Sequence, residues 1–264
     1  MNYWSERNKP YTPGQKYAFK VSRSKIELFV QCPRCFWLDV RLKIKRPDGP
    51  PFQINKTIDE LLKKEFDNYR VKATPHPLMT ENGVIAIPYS HEQLDKWRHN
   101  FTGVATVHEP TNLHIFGAID DVWINEKDEL VVVDYKATSK SSEINIDADW
   151  QMSYKRQIEI YQWLLRANGF LVSNMAYFVY ANGRMDVDGF YNRMEFTTKV
   201  IPYVGNDEWV EPIIIKMKKC MDSEKIPAMG KAAMGGDCDF CSYARKRTEL
   251  TIEHVKSSKI NLTN

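Results

Sequence analysis

Hydrophobic positions change their period several times along the chain, and each change predicts an element. From Ser22 the text SRSKIELFVQCPRCFWLDVRL spaces Ile26, Phe29, Val30, Phe36 and Trp37 roughly as a helix does, with Ser22 or Ser24 available as N-cap. Pro33 sits inside that run and predicts a break or kink near Cys32 and Cys35. RPDGPPF (residues 46–52) reads as a loop by its proline and glycine content. A second amphipathic helix is expected from about Asn55 to Tyr69, with Ile58, Leu61, Leu62 and Phe66 on one face. Farther on, ENGVIAIPYS suits a turn and short strand, and HEQLDKWRHNF a short helix.

The clearest strand signal lies between His114 and Lys136. HIFGAIDDVWI and ELVVVDYKA are β-rich runs separated by NEKD, which predicts a hairpin. The period then returns to helical over Tyr154–Ala167, where Ile158, Tyr161, Leu164 and Leu165 share a face and Asn168-Gly169 stops the helix. AYFVYANGRMDVDGFY predicts a strand, an Asn182-Gly183 turn and another extended stretch. MEFTTKVIPY predicts one more strand, and EWVEPIIIKMKKCMDS a helix. This alternation suits one mixed α/β domain with a central sheet flanked by helices. Its expected extent is residues 22–245, between an irregular arm (1–21) and a polar C-terminal tail (246–264).

Composition narrows the chemistry. The formal charge is only +3, so any nucleic-acid site must be a local basic groove, not a global attraction. No apolar run approaches about 18 residues, and the N-terminus lacks the apolar core of a secretory signal. A cytoplasmic protein without membrane partners is the expectation. Four of the five cysteines form two CxxC pairs, Cys32/Cys35 and Cys238/Cys241, which favours metal ligation over a disulfide framework. Cys220 reads as a lone helix residue or as a replacement for one of the four ligands. The histidines form no HExxH pair and no Walker loop is present, so neither a histidine-based zinc hydrolase nor a built-in motor is indicated.

The hairpin carries the candidate chemistry. Asp120 falls near the middle of its first strand and Asp134 at the end of its second, with Lys136 two residues on and therefore on the same face. Leu130 to Val133 read as buried, so a carboxylate and an ammonium emerge where a core strand ends. Two carboxylates brought together repel, and a hard divalent cation resolves that repulsion while keeping room for water and phosphate. Exposed D-x-K triplets are common and worth little, so DYK alone would be bland; the preceding GAID changes its weight.

Gly117-Ala118-Ile119-Asp120 followed by Val-Val-Val-Asp134-Tyr135-Lys136 resembles the G-x-x-D…D-x-K signature of the PD-(D/E)XK nuclease superfamily. Gln157-x-x-x-Tyr161 resembles the Q-x-x-x-Y motif of its RecB/AddB branch, and S-x-S-x-I-E-x-F-x-x-C-P-R-C-F-W-L is similar to that branch's N-terminal segment. The four motifs span residues 22–241 and are also similar to CRISPR-associated RecB-like exonucleases with a cysteine cluster. The resemblance implies a restriction-endonuclease-like core. It makes Asp120 and Asp134 ligands of Mg²⁺ or Mn²⁺, with the Tyr135 carbonyl joining them, and Lys136 the group that positions the attacking water. Gln157 and Tyr161 would flank the site and contact DNA or support catalysis. Asp121 is the rival for the place of Asp120, although glycine spacing favours Asp120. Where the branch often has a helix histidine, this chain has Asp59, either an oxygen ligand in its place or a solvated helix residue.

In that branch one N-terminal and three C-terminal cysteines hold a [4Fe–4S] cluster. Here Arg245-Lys246-Arg247 stands where the last would follow, so Cys35 would supply the fourth ligand; Zn²⁺ is the alternative occupant. The implied function is a metal-dependent deoxyribonuclease, in the first place an exonuclease of DNA repair or recombination acting on single-stranded or end-containing DNA, with a helicase as a possible partner. The alternatives are a non-cleaving DNA-binding protein of nuclease fold and an RNA-directed endonuclease of the same superfamily.

Overall fold

A computed structural model describes residues 9–49, 52–232 and 235–260, so residues 1–8 of the expected arm and 261–264 of the expected tail lie outside it. The chain forms two compact units, one of Ala18–Arg23 and Gly49–Pro212, the other of Met1–Tyr17, Ser24–Asp48 and Ile213–Asn264. The fold class is mixed α/β, with mixed sheets flanked by helices.

The first unit holds every strand of the two sheets. Strands β1 (Phe19–Ser22), β3 (Val104–His108) and β4 (Leu113–Gly117) make a three-stranded sheet in the order β1-β4-β3, with β1 parallel to β4. Strands β2 (Ala86–Pro88), β5 (Asp121–Asn125), β6 (Leu130–Thr138), β7 (Met175–Gly183) and β8 (Phe196–Val204) follow one another across a five-stranded sheet. There β6 and β7 are parallel and the other neighbours antiparallel. Parallel strands need a long crossover, and the helix at Met152–Ala167 provides it, packing across β3, β4 and β6.

The opposite face of the large sheet is covered by the long helix Gln53–Lys72. Its buried stripe runs through Ile58, Leu62, Phe66 and Arg70 at a spacing of four, while Leu61, expected on that face, is 57% exposed. Phe66 stacks on Trp123 with ring centroids 5.5 Å apart, over a core of Val131, Val133, Tyr135, Val179 and Ala181.

Three other expectations need correction. The run HIFGAIDDVWI is not one strand: β4 ends at Gly117 and β5 begins at Asp121, because the two halves pair in different sheets. Asp120 therefore lies in the bend between strands and not within one. Asn182-Gly183 is not a turn but the end of β7, paired with Thr197 and Phe196. The Asn182 amide bonds both backbone groups of Lys140, at 2.8 and 3.0 Å, and this holds its backbone extended. Residues 19–21, assigned to the irregular arm, belong to β1 (Phe19–Ser22).

In the second unit the expected break is present. Helix α1 (Arg23–Gln31) stops and α2 (Pro33–Leu42) starts at Cys32, the N-cap of α2, with Pro33 in its first turn where a missing N–H costs nothing. The expected late helix is Val210–Asp222, and a 22-residue helix, Asp239–Ile260, runs through residues read as a polar tail. In chain order the helices at Gln53–Lys72, Pro77–Glu81, Leu94–Arg98, Met152–Ala167, Val210–Asp222 and Asp239–Ile260 are α3 to α8.

Phe66→Ala removes a fully buried ring from the α3–sheet contact. It is expected to lower unfolding stability by about 3–5 kcal/mol, read as a lower urea midpoint at an unchanged slope.

Candidate active site

Strand alternation divides β6 into two faces. Val131, Val133 and Tyr135 join the core beneath α3, while Val132, Asp134 and Lys136 share the other face. Asp134 is completely buried. From α6, Gln157 Nε2 donates to Asp134 Oδ1 at 2.8 Å and to the Tyr161 hydroxyl at 3.2 Å. Gln157 and Tyr161 stand four residues apart, one turn of the same helix face. Lys136 Nζ forms an ion pair with Asp134 Oδ2 and lies 4.5 Å from the ring centroid of Tyr154, one turn before Gln157.

Asp120 reaches this face from the bend before β5. Its Oδ2 accepts the Tyr135 backbone N–H at 3.0 Å, which pins the loop carboxylate to β6 between Asp134 and Lys136. The bend is possible because Gly117 has no side chain: a Cβ there would lie 2.6 Å from Tyr161 Cε1 and 3.2 Å from Arg23 Cβ. On α3, Asp59 is half-buried and ion-paired with Lys63 at 2.7 Å.

The electrostatics tie these groups together. Burial pushes the Asp134 carboxyl up to about 7, with Lys136 pulling it down and Asp120 pushing it further up. Burial and then Asp120 raise Asp59. Burial alone would lower Lys63 and Lys136, but the neighbouring carboxylates outweigh it and hold both charged. Asp59 Oδ1 is buried and makes no hydrogen bond, while Asp134 Oδ2, also buried, meets the Lys136 ammonium, with the Asp120 carboxyl beside Asp134. Buried, mutually repelling carboxylates are the donor set a hard cation satisfies, so the residues present fit Mg²⁺ or Mn²⁺.

Asp121 faces the other way. Its carboxylate, also fully buried, accepts from Arg98 Nη2 at 2.8 Å, the Tyr135 hydroxyl at 2.7 Å, Arg70, and the Val122 N–H. Arg98 also donates to the Asp120 carbonyl at 3.1 Å and to Asp67. Asp121, Arg70 and Arg98 thus hold the bend that presents Asp120. None of the four sequence motifs reveals the arginines, which stand 51 and 23 residues before Asp121. Tyr154 was also missed, though its helical spacing from Gln157 and Tyr161 was the available signal.

In the second unit Cys32, Cys35, Cys238 and Cys241 are all buried and gathered into one group. Burial opposes ionisation of Cys32, but the N–H groups of Cys35 and Gly230 outweigh it and bring its thiol down to about 7. Cys220 is outside the group, and burial pushes its thiol up to about 11.

The sequence model of the PD-(D/E)XK nuclease superfamily matches residues 53–245. The chain belongs to that superfamily, which supports phosphodiester hydrolysis as its activity; PD-(D/E)XK nucleases usually use Mg²⁺ or Mn²⁺. Among solved structures, one titled "Crystal structure of SSO0001" aligns over 77% of each chain at 16% identity with a TM-score of 0.30, a superposition too loose to add to the family match. No curated protein matches the chain. No helix among the described residues is long and apolar enough to cross a membrane.

Two outcomes follow from the buried charges. Asp121→Ala leaves two buried guanidinium groups sharing only the more exposed Asp67 and is expected to cost about 3–5 kcal/mol, read by urea unfolding. For Asp134, the metal-free folded chain keeps a proton that the unfolded chain, titrating near 3.8, has lost. Wild-type stability should therefore fall relative to Asp134→Asn as pH rises from about 4 to about 7, and added Mn²⁺ should close the gap at pH 8. Parallel stability–pH curves for the two proteins would contradict this.

Proposed function

We propose that this chain is a divalent-metal-dependent deoxyribonuclease of the RecB/AddB branch, acting from the ends of single-stranded or end-containing DNA. The reading is carried by one observation: Gln157 of α6 is bonded to Asp134 and Tyr161 beside a bend that delivers Asp120 to the same face. In this reading Asp120 and Asp134 hold Mg²⁺ or Mn²⁺ with the Tyr135 carbonyl, and Asp59 takes the position where the branch often has histidine. The ion would supply Lewis acidity at the scissile phosphate and lower the pKa of water.

The side chains divide the remaining work. Lys136, kept protonated by its carboxylate neighbours, orients the attacking water and stabilises charge that builds on the phosphoryl oxygens. Gln157 fixes the rotamer of Asp134, and Tyr161 fixes Gln157. Lys63, beside Asp59, adds a second ammonium for a phosphate. Tyr154 holds the Lys136 ammonium in place over the face of its ring. A helicase partner, a cytoplasmic setting and a place in DNA repair or recombination belong to the same reading.

The test uses end-labelled single- and double-stranded DNA and matching RNA, with Mg²⁺, Mn²⁺ or EDTA. Metal-dependent shortening of DNA from an end is expected, with Asp134→Ala and Lys136→Ala each slower by at least about 10²-fold. Binding without cutting, equal rates for wild type and Asp134→Ala, or cleavage confined to RNA would each overturn it.

A further inference from the structure

The four-cysteine group has a definite size. The Sγ–Sγ separations are 3.7 Å for Cys32–Cys241, 3.8 Å for Cys35–Cys238 and 3.4 Å for Cys35–Cys241. All four sulfurs lie within 4.8 Å of one another. A single tetrahedral ion with metal–sulfur bonds of about 2.3 Å sets its sulfurs about 3.8 Å apart. A [4Fe–4S] cubane puts irons and sulfides between the cysteines and spreads their sulfurs to roughly 6 Å. The cluster implied by the resemblance does not fit this cage.

We propose that Cys32, Cys35, Cys238 and Cys241 hold one tetrahedral thiophilic ion of the Zn²⁺ class, in a closed, redox-silent structural site. This stands independently of the nuclease reading, because every residue it uses lies in the second unit. Four protein thiolates complete the coordination of such an ion, and the four residues are buried, so no position is left for water or substrate.

The surroundings suit a compact anionic centre. Each CxxC pair opens a helix: Cys32 caps α2 and Cys238 immediately precedes α8, so two helix N-termini point partial positive charge at the sulfurs. Cys32 Sγ accepts the N–H groups of Gly230 at 3.1 Å and Cys35 at 3.4 Å, and Cys238 Sγ accepts from Arg46 Nη2 at 3.3 Å. Four thiolates on a dication leave two negative charges, which these donors offset. Gly230 is required by close approach: a Cβ there would meet the Gln31 carbonyl oxygen at 2.0 Å and Cys32 Cα at 2.5 Å. The segment is held on its other side by the Cys238 N–H donating to the Gly230 carbonyl at 2.8 Å. The ion would thus join the start of α2 to the start of α8, two points separated by about two hundred residues of chain.

The test is elemental analysis of the full chain, purified without oxygen from cells supplied with both iron and zinc. About one zinc per chain, no acid-labile sulfide and no visible absorption are expected. Exchange into Co²⁺ should give the blue-green spectrum of a tetrahedral tetrathiolate site, lost in Cys241→Ser. Gly230→Ala and Arg46→Ala should weaken zinc by about 10–100-fold in chelator competition. Brown protein with roughly four irons and four sulfides, or protein with neither metal, would overturn the proposal whatever the nuclease assay shows.

Discussion

A carboxylate with no access to water organises the first unit. Asp134 ends the hydrophobic run of β6 on the face toward α6, where an isolated charge would be costly. Gln157 and Lys136 offset part of that cost, yet the approach of Asp120 adds to it. A fold optimised for stability alone would not bring a second carboxylate to that spot. The strand, the crossover helix and the bend at 118–120 converge on a site whose charges are incompletely balanced, which is the condition a cation relieves.

The two faces of β6 divide the labour. One face is dry and aromatic, with Phe66, Trp123 and Tyr135 fixing the sheet beneath α3. At its edge Asp121, Arg70 and Arg98 form a fully paired network that spends a buried carboxylate on geometry. The neighbouring Asp120 carboxylate stays outside that network and accepts the Tyr135 N–H. Adjacent aspartates thus face different partners, Asp120 from the bend and Asp121 as the first residue of β5. Tyr135 couples them, its N–H on Asp120 and its hydroxyl on Asp121.

Local periodicity made much of this legible in the sequence. The β5–β6 hairpin, α3, α6 and the helix break at Pro33 each follow from patterns within about a turn or a strand. The strand break before Asp120 was hidden because both halves are β-rich and only their pairing partners differ. Asn182-Gly183 carries turn chemistry that a tertiary bond to Lys140 overrides. Helix α8 has its residues 242–258 exposed on nearly every side, so no apolar stripe announced it. In the site, Asp120, Asp134, Lys136, Gln157 and Tyr161 were readable as short motifs and the fold brings them together. Arg70, Arg98 and Lys63 were not, since their relation to the aspartates exists only after folding.

The most direct test of this account is a crystal of the metal-free protein soaked in Mn²⁺, with anomalous scattering recorded. The account predicts a manganese peak within ligand distance, about 2.0–2.4 Å, of both an Asp120 oxygen and Asp134 Oδ2, and no peak at Asp121. A peak at Asp121, or no manganese between Asp120 and Asp134 at saturating concentration, would contradict it.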